Sequence, residues 1–249
     1  MNPSQLLGVL VGLLAVGGAA QPAPDLVHLV FAGSFREVCK TKMLSGQVES
    51  FPTVAALRQA RLVADQTMRS SHPAIKDKAT PRFPEESHLV SVTATLLAFR
   101  FESHAAAMSG DNDFHVIIGD SASEPTSLLN VEVSGLPRAG DPGNKFAAVR
   151  QQLLGILTKL GLTPTPSFQR LTRTVVVRVT GGLYFDADHL AGSVGPAGLR
   201  PTTVWEIHPI QKIEVLGPEA VPAQGSRWNR SEIKTGHRKD RVISLKWSS

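Results

Sequence analysis

The chain has 249 residues, of which 42% are hydrophobic and 19% charged, a balance typical of one globular domain with flanking segments. Its single cysteine, Cys39, excludes an intramolecular disulfide and any zinc site built from cysteines alone. The net charge of +5 belongs mainly to the end of the chain, since residues 218–249 carry seven basic and three acidic side chains. The body is therefore close to neutral, which argues against a strongly basic nucleic-acid-binding surface on it.

Residues 1–20 have the features of a signal peptide. An apolar run from Leu6 to Val16 precedes the small residues Gly17-Gly18-Ala19-Ala20, which offer a cleavage site. The run is shorter than the roughly 20 apolar residues of a spanning helix, so we expect no transmembrane segment in the mature chain. We predict a secreted protein or one exported to the periplasm or cell envelope. A buried N-terminal helix is the alternative, because no Lys or Arg precedes the run.

Residues 21–86 are interpreted as an N-terminal extension. The stretch from Thr53 to Leu62 predicts a short helix capped by Thr53. The stretch from Ser70 to Ser87 combines many charges with three prolines. That composition predicts an irregular linker.

From residue 87 the hydrophobic pattern predicts strands of period two and one helix of period 3.6. Gly181 and Gly182 in the fourth strand and Pro209 in the fifth indicate bulges or an edge position. In chain order, the elements are strands over Leu89–Phe101, Phe114–Ile118 and Leu128–Val133, a helix over Phe146–Leu160, and strands over Thr174–Phe185 and Thr203–Val215.

Three strands, a helix and two further strands form the element order of a five-stranded β-barrel of the OB-fold type. We therefore predict a mainly β protein with an OB-like barrel domain over residues 87–216. A basic, flexible tail over residues 217–249 would follow it. An open α+β sandwich is the main alternative.

Polar side chains are concentrated in three short stretches at strand ends, at 111–115, 185–189 and 205–209. Alternate residues of an extended strand project from one face. Carboxylates and imidazoles that converge from several strands could bind a divalent metal or act as general acid and base. Glu132 on the third strand could join them. The candidate residues are Asp113, His115, Asp186, His189, Glu206 and His208.

The same residues also suit a structural role. Asp and Asn are common turn formers, and a His–carboxylate pair can be an outer-face ion pair or a buried network that fixes the fold. The spacings match no metalloprotease helix, and the sequence has no G-x-S-x-G elbow, P-loop or dinucleotide-binding glycine motif. A structural cluster and a metal or catalytic site therefore both stay open.

Nucleic-acid binding is expected from the tail more than from the barrel. Single-strand binding uses a basic groove with exposed aromatic side chains, whereas the barrel is nearly neutral. The tail carries Trp228 and Trp247 among basic residues and would attract nucleic acid or another anionic polymer. Its candidate residues are Arg227, Arg230, Lys234, Arg238, Lys239 and Arg241.

Across roughly residues 40–215 the chain resembles a family of exported, largely uncharacterised bacterial proteins with an OB-like barrel. The resemblance lies in 111–116, in 179–189 and in 205–210, which fit the pattern D-x-D-[FY]-H, FD-x-x-H and E-[IL]-H-P in that order. It implies that the six candidate residues belong together as a signature, and it implies no activity. Relatives often carry a cysteine after the third strand, and this chain has none there.

The leading functional prediction is an exported OB-type binding module for nucleic acid or another polymer. The second is a metal-dependent hydrolase, a phosphodiesterase or nuclease in which the six residues bind the metal and activate water. The third is a structural or partner-binding envelope protein. Convergence of the six side chains around a cavity would favour the hydrolase, and their scattering would argue against it.

Overall fold

The computed structural model describes residues 25–33, 35–102, 110–121 and 127–217. The predicted signal peptide and the tail from residue 218 onward, with all six tail candidates, lie outside the described residues. Within the described ranges, no helix is long and apolar enough to cross a membrane.

The main element of the described chain is one mixed six-stranded β-sheet, which confirms the mainly β prediction. Five of its six strands correspond to the predicted ones. The first strand has no counterpart in the prediction, because three residues are too few to show a period. The strands are β1 (Glu49–Phe51), β2 (Leu89–Phe101), β3 (Phe114–Gly119), β4 (Leu128–Val133), β5 (Gln169–Phe185) and β6 (Trp205–Val215).

The sheet combines antiparallel and parallel pairs in the order β1-β2-β3-β4-β6-β5, with an additional pairing of β2 with β5. The pairs β1–β2 and β4–β6 are parallel and the others antiparallel. The register shifts on both sides of Gly181, where a Cβ would lie 2.4 Å from the carbonyl oxygen of Pro209. The irregularity predicted at this glycine is confirmed, and the close approach of two backbones explains it.

Two of the α-helices begin beside polar side chains that accept hydrogen bonds from their first amides. Thr53 Oγ1 accepts a hydrogen bond from the Ala56 amide at 3.0 Å, as predicted for the second helix. The carboxylate of Asp141 accepts bonds from the first amides of the longest helix, at 3.0 and 2.9 Å, and Gly161 with φ +72° follows its end. The α-helices of the described residues are α1 (Glu37–Lys40), α2 (Val54–Arg61), α3 (Asp65–Ser71) and α4 (Lys145–Lys159).

The main apolar core lies on one face of the sheet, against α4 and buried residues of α2 and α3. Alternate residues of each strand point to this face, and α4 contributes Val149, Leu153 and Leu157. β3 and β4 are nevertheless buried along their whole length. Their other face is covered by the N-terminal extension, where the Ser134 hydroxyl donates a hydrogen bond to the Lys40 carbonyl at 2.6 Å. This second, covered face carries the polar side chains described below.

The stretch over residues 70–87, predicted to be an irregular linker, is folded against the sheet. It contains the end of α3 and two single-turn 3-10 helices, Pro73–Lys76 and Pro84–Glu86. Ile75 and Glu86 are buried. The prolines do not break these turns, because the first position of a helical turn needs no amide hydrogen.

A buried ion pair ties this stretch to the sheet. Arg36 donates two hydrogen bonds to the Glu86 carboxylate, at 2.9 and 2.6 Å, and both side chains are fully buried. The same carboxylate accepts bonds from the amides of Phe83 and Phe185, each at 2.8 Å. One carboxylate therefore joins the N-terminal extension, a 3-10 turn and the end of β5.

We expect Glu86→Gln to destabilise the protein strongly. The substitution leaves Arg36 as a buried cation without its counter-charge, which costs about 3 kcal/mol. Urea denaturation measures the change in the free energy of unfolding. Glu214→Gln is the matched control, since its exposed pair with Lys212 should contribute at most about 1 kcal/mol. Equal effects of the two substitutions would contradict the structural role of the buried pair.

Candidate functional site

The strand register collects polar side chains on the covered face of the sheet. His115 on β3 lies opposite Glu132 on β4, and Asn130 lies opposite Glu206 on β6. Because alternate residues share a face, the neighbours two positions away join the same cluster. All its members are at most 5% exposed; they are Asp113, His115, Asn130, Glu132, Ser134, Tyr184, Asp186, Glu206 and His208.

His115 is the centre of three carboxylates. Its Nδ1 lies 3.0 Å from Oε1 of Glu132. Its Nε2 forms an ion pair with Glu102 and lies 3.3 Å from Oδ1 of Asp113. Glu102, Asp113 and His115 can each present one ligand atom, and these atoms all lie within 4.8 Å of one another. Such an N,O,O set suits a divalent transition metal or Mg²⁺.

A second row of side chains runs deeper below His115. Oε2 of Glu132 lies 2.8 Å from Nδ1 of His208, and Nε2 of His208 lies 2.8 Å from the Ser134 hydroxyl. This connectivity is that of a nucleophilic serine triad. Ser134 is only 1% exposed, however, and its hydroxyl donates to a backbone carbonyl. Unlike Asp113 and His115, Ser134 does not line the cleft described below, so we assign the row a structural role.

The amide of Asn130 separates two buried carboxylates. It donates hydrogen bonds to Oε1 of Glu132 and Oε2 of Glu206, both at 2.7 Å. Burial, and next the charge of Glu132, raises the pKa of Glu206 well above its usual range. The shift favours the neutral, hydrogen-bonded form of Glu206, which lies outside the metal-ligand set around His115.

A histidine–aspartate pair faces this cluster from the loop after β5. Nδ1 of His189 lies 2.7 Å from Oδ2 of Asp186. Arg69 fixes the backbone of the same loop through hydrogen bonds to the carbonyls of Ala187 and His189, at 3.1 and 2.8 Å. The rings of His189 and His115 are perpendicular, with centroids 6.4 Å apart. With Nδ1 held by Asp186, Nε2 is the nitrogen that His189 has available for chemistry.

The carboxylates around His115 and the His189–Asp186 pair line one cleft of about 500 Å³. Its walls contain six carboxylates, three lysines and two histidines. One of the lysines, Lys40, is buried, and its Nζ donates a hydrogen bond to Asp111 at 2.5 Å. Lys76 and Lys78 are exposed and lie at the rim. The buried part of the cleft is acidic, whereas its exposed lining residues are Lys76, Lys78 and Asp188, in which lysines are in excess.

Burial and mutual repulsion shift the acids of the cleft in opposite directions. Burial, and then the charge of Glu132, raises the pKa of Asp113 to about 8. Burial would also raise the pKa of Glu132, but His115 and His208 outweigh it and hold that pKa well below its usual range. One carboxylate thus keeps its charge between two imidazoles, while the next one binds a proton.

Six buried atoms in this cluster have no hydrogen-bond partner among the described residues, and two of them belong to Asp113 and His115, which line the cleft. Oδ1 of Asp113 and Nδ1 of His115 are each close to an ionisable neighbour, yet neither makes a hydrogen bond of acceptable geometry. Buried polar atoms normally have such a partner. A cation bound between Glu102, Asp113 and Nε2 of His115 would satisfy Oδ1 of Asp113, because ion coordination has no need of a donor hydrogen, while Nδ1 of His115 faces Glu132. The residues therefore fit a bound metal.

The structure brings the six predicted residues to one region in two groups. Asp113, His115, Glu206 and His208 belong to the buried network, and Asp186 and His189 form the pair across the cleft. The sequence patterns did not single out Lys40, Glu102, Asn130 or Ser134. Asn130 and Ser134 alternate with Glu132 along an otherwise apolar stretch. This alternation is a signal that could have identified Asn130 and Ser134.

Comparison with known proteins yields no family for this chain. No protein-family model matches it, and no curated protein matches it. What the cleft does is therefore inferred from the chemistry of its own residues.

The ion pair of His189 predicts a pH-dependent stability. The hydrogen bond to Asp186 raises the pKa of His189 above 6.5, so the stabilisation is complete below pH 6.5 and is lost as the pH rises through the higher value. We expect His189→Gln to cost about 1 kcal/mol at pH 5.5 and less at pH 9.5, by urea denaturation. In an Asp186→Asn background the pH dependence of this cost should vanish. A cost that is the same at both pH values would contradict the pairing.

Proposed function

We propose that the chain is a divalent-metal-dependent hydrolase, exported from the cell as its N-terminus suggests. The observation that carries the proposal is the buried, unpartnered Oδ1 of Asp113 at the wall of an open cleft, beside His115 and Glu102. Three protein ligands leave positions free for water and substrate, which is the arrangement of a catalytic rather than a purely structural metal. The excess of carboxylates around them favours a cation.

His189 is proposed as the general acid–base residue. It lies across the cleft from the ligand set, and Asp186 fixes its orientation through Nδ1. An imidazole held in this way can move a proton between water and a leaving group with its second nitrogen. The metal, when bound, would lower the pKa of a water molecule and polarise the substrate. Asp186 acts as a positioning residue, because it touches His189 and not the reacting atoms.

We further infer that β2 to β6 form a barrel of the OB type. The pairings lead from β2 through β3, β4, β6 and β5, and the β2–β5 pairing leads back to β2. The cleft lies on β3 and β4, between residues that follow β2 and residues that follow β5. OB barrels bind oligonucleotides and oligosaccharides at this place, which supports an active site there.

A binding module without catalysis is the second candidate, and the same position in the sheet favours it. The basic tail would then add electrostatic attraction for nucleic acid or another anionic polymer. The two functions differ in two respects: the hydrolase needs the bound metal, and it converts its ligand to product. A structural or partner-binding envelope protein would need neither.

We expect the purified protein to bind Mn²⁺ or Zn²⁺ at one site, measured by isothermal titration calorimetry. Asp113→Asn and His115→Gln each remove a ligand atom. Each should therefore lower the metal affinity by more than the roughly 10- to 100-fold loss that is typical of outer-shell changes. His28→Gln is the matched control, since His28 is exposed and pairs with Asp25 away from the cleft. Unchanged metal affinity in the two ligand variants would refute the proposed centre.

We expect substitutions in the His189–Asp186 pair and in the Glu132–His208–Ser134 row to differ in their effect on turnover. With a panel of p-nitrophenyl phosphate and carboxylate esters, His189→Gln should lower kcat by about 100-fold or more while metal affinity is kept. Ser134→Ala should leave kcat within a few-fold, because the buried hydroxyl is no nucleophile. Loss of activity in Ser134→Ala with normal unfolding free energy would favour a serine mechanism over a metal one.

A further inference from the structure

The rim of the cleft carries two lysines that are fixed in place by their backbone. Lys76 ends a 3-10 turn, and the carbonyl of Lys78 accepts a hydrogen bond from the Arg36 amide at 2.7 Å. Both side chains are exposed and line the cleft. Within the described part of the chain, neither forms an ion pair. Two cations, together with the exposed carboxylate of Asp188, therefore line the outer part of an acidic cleft.

This polarity selects among hydrolysable groups. A neutral ester or glycoside gains nothing from the rim lysines, and a cationic substrate would be repelled by them. A phosphodiester offers oxygen atoms to a metal at the inner end of the cleft, and its flanking phosphates carry negative charge to the rim. The arrangement of lysines outside and carboxylate ligands inside is thus complementary to a chain of phosphates.

Size and aromatic character indicate an unpaired strand. Asp113 and His115 are only 1% and 2% exposed, so a reacting phosphate must enter the cleft to reach them. A cleft of about 500 Å³ is too small for a duplex. Phe35, half-buried, lines the same cleft, and an aromatic ring there can stack on an unpaired base.

We propose that the substrate is a phosphodiester of an unpaired nucleic-acid strand. Lys76 and Lys78 bind the phosphates that flank the scissile one, and Phe35 stacks on a base. This inference rests on the hydrolase function proposed above and adds its substrate class. It places the strand contacts on the folded body, whereas the sequence pattern alone pointed to the tail.

The hydrolysis balances with the groups at hand. A water oxygen forms a bond to phosphorus, and the bond from phosphorus to the leaving oxygen breaks with its electron pair on that oxygen. The leaving oxygen receives one proton from protonated His189, and the attacking water gives up one proton to the solvent, from which His189 is protonated again. The second hydrogen of the attacking water stays on the new phosphomonoester. The reaction therefore needs no oxidant, reductant or second substrate.

The test measures cleavage of a fluorescent single-stranded DNA oligonucleotide by the full chain with Mn²⁺. In Lys76→Ala/Lys78→Ala we expect KM to rise about 10-fold, with kcat within two-fold, because flanking contacts bind the ground and transition states alike. The slope of log KM against log salt should fall by about 0.7 per lysine removed. Lys145→Ala is the matched control, an exposed lysine away from the cleft. An unchanged KM in the double variant would overturn the role of the rim.

Parallel substrates separate failure of this inference from failure of the proposed function. A blunt duplex of the same sequence should be cleaved at least 10-fold more slowly, and equal rates would overturn the choice of an unpaired strand. Cleavage of phosphatidylglycerol vesicles without cleavage of oligonucleotides would overturn the nucleic-acid assignment and keep a phosphodiester. If the metal binds and only carboxylate esters are hydrolysed, the substrate class is wrong and the hydrolase stands. If no metal binds, the hydrolase itself is wrong.

Discussion

The charge of Glu132 in the middle of a buried strand is the constraint from which the rest of the cleft follows. An ionised carboxylate without water is costly unless cations or donors surround it. Glu132 has His115 on one side and His208 on the other, and it accepts a hydrogen bond from Asn130. These partners come from β3, β6 and β4 itself. One carboxylate thus fixes the relative position of three strands.

The acids next to Glu132 have fewer nearby groups to compensate their negative charge. Once both nearby imidazoles serve Glu132, the next carboxylates meet its negative charge in a medium of low dielectric constant. Burial first and the charge of Glu132 second raise the pKa of Asp113 to about 8 and that of Glu206 well above its usual range. Glu206 has the Asn130 amide as a compensating donor. Asp113 lies at the cleft, where an external cation can reach it.

The sequence predicted what short-range periodicity encodes. Strands β2 and β4 were predicted with their observed bounds because their apolar residues alternate, and α4 follows from its spacing of three and four. The polar residues at strand ends were recognised for the same reason, since Asp113 and His115 share a face. What these patterns did not predict depends on contacts between distant residues. The pairing of Arg36 with Glu86 spans 50 positions, and Glu102 meets His115 through the pairing of β2 with β3.

Coverage of the polar face by the N-terminal extension explains why this cluster is more than a surface ion-pair network. An uncovered face would leave the same carboxylates and imidazoles in water, with little interaction energy and ordinary pKa values. Lys40, held against Ser134 through its backbone and against Asp111 through its side chain, closes one side. The loop with His189 closes another, and the gap between them is the cleft. A network that served stability alone would be expected to satisfy every member, whereas here several buried atoms lack a hydrogen-bond partner. Those of Asp113 and His115 belong to residues that line the cleft, where an external cation can reach the cluster. Unsatisfied polar atoms beside an open cleft are what a ligand site requires, and they are the physical argument for chemistry at this face.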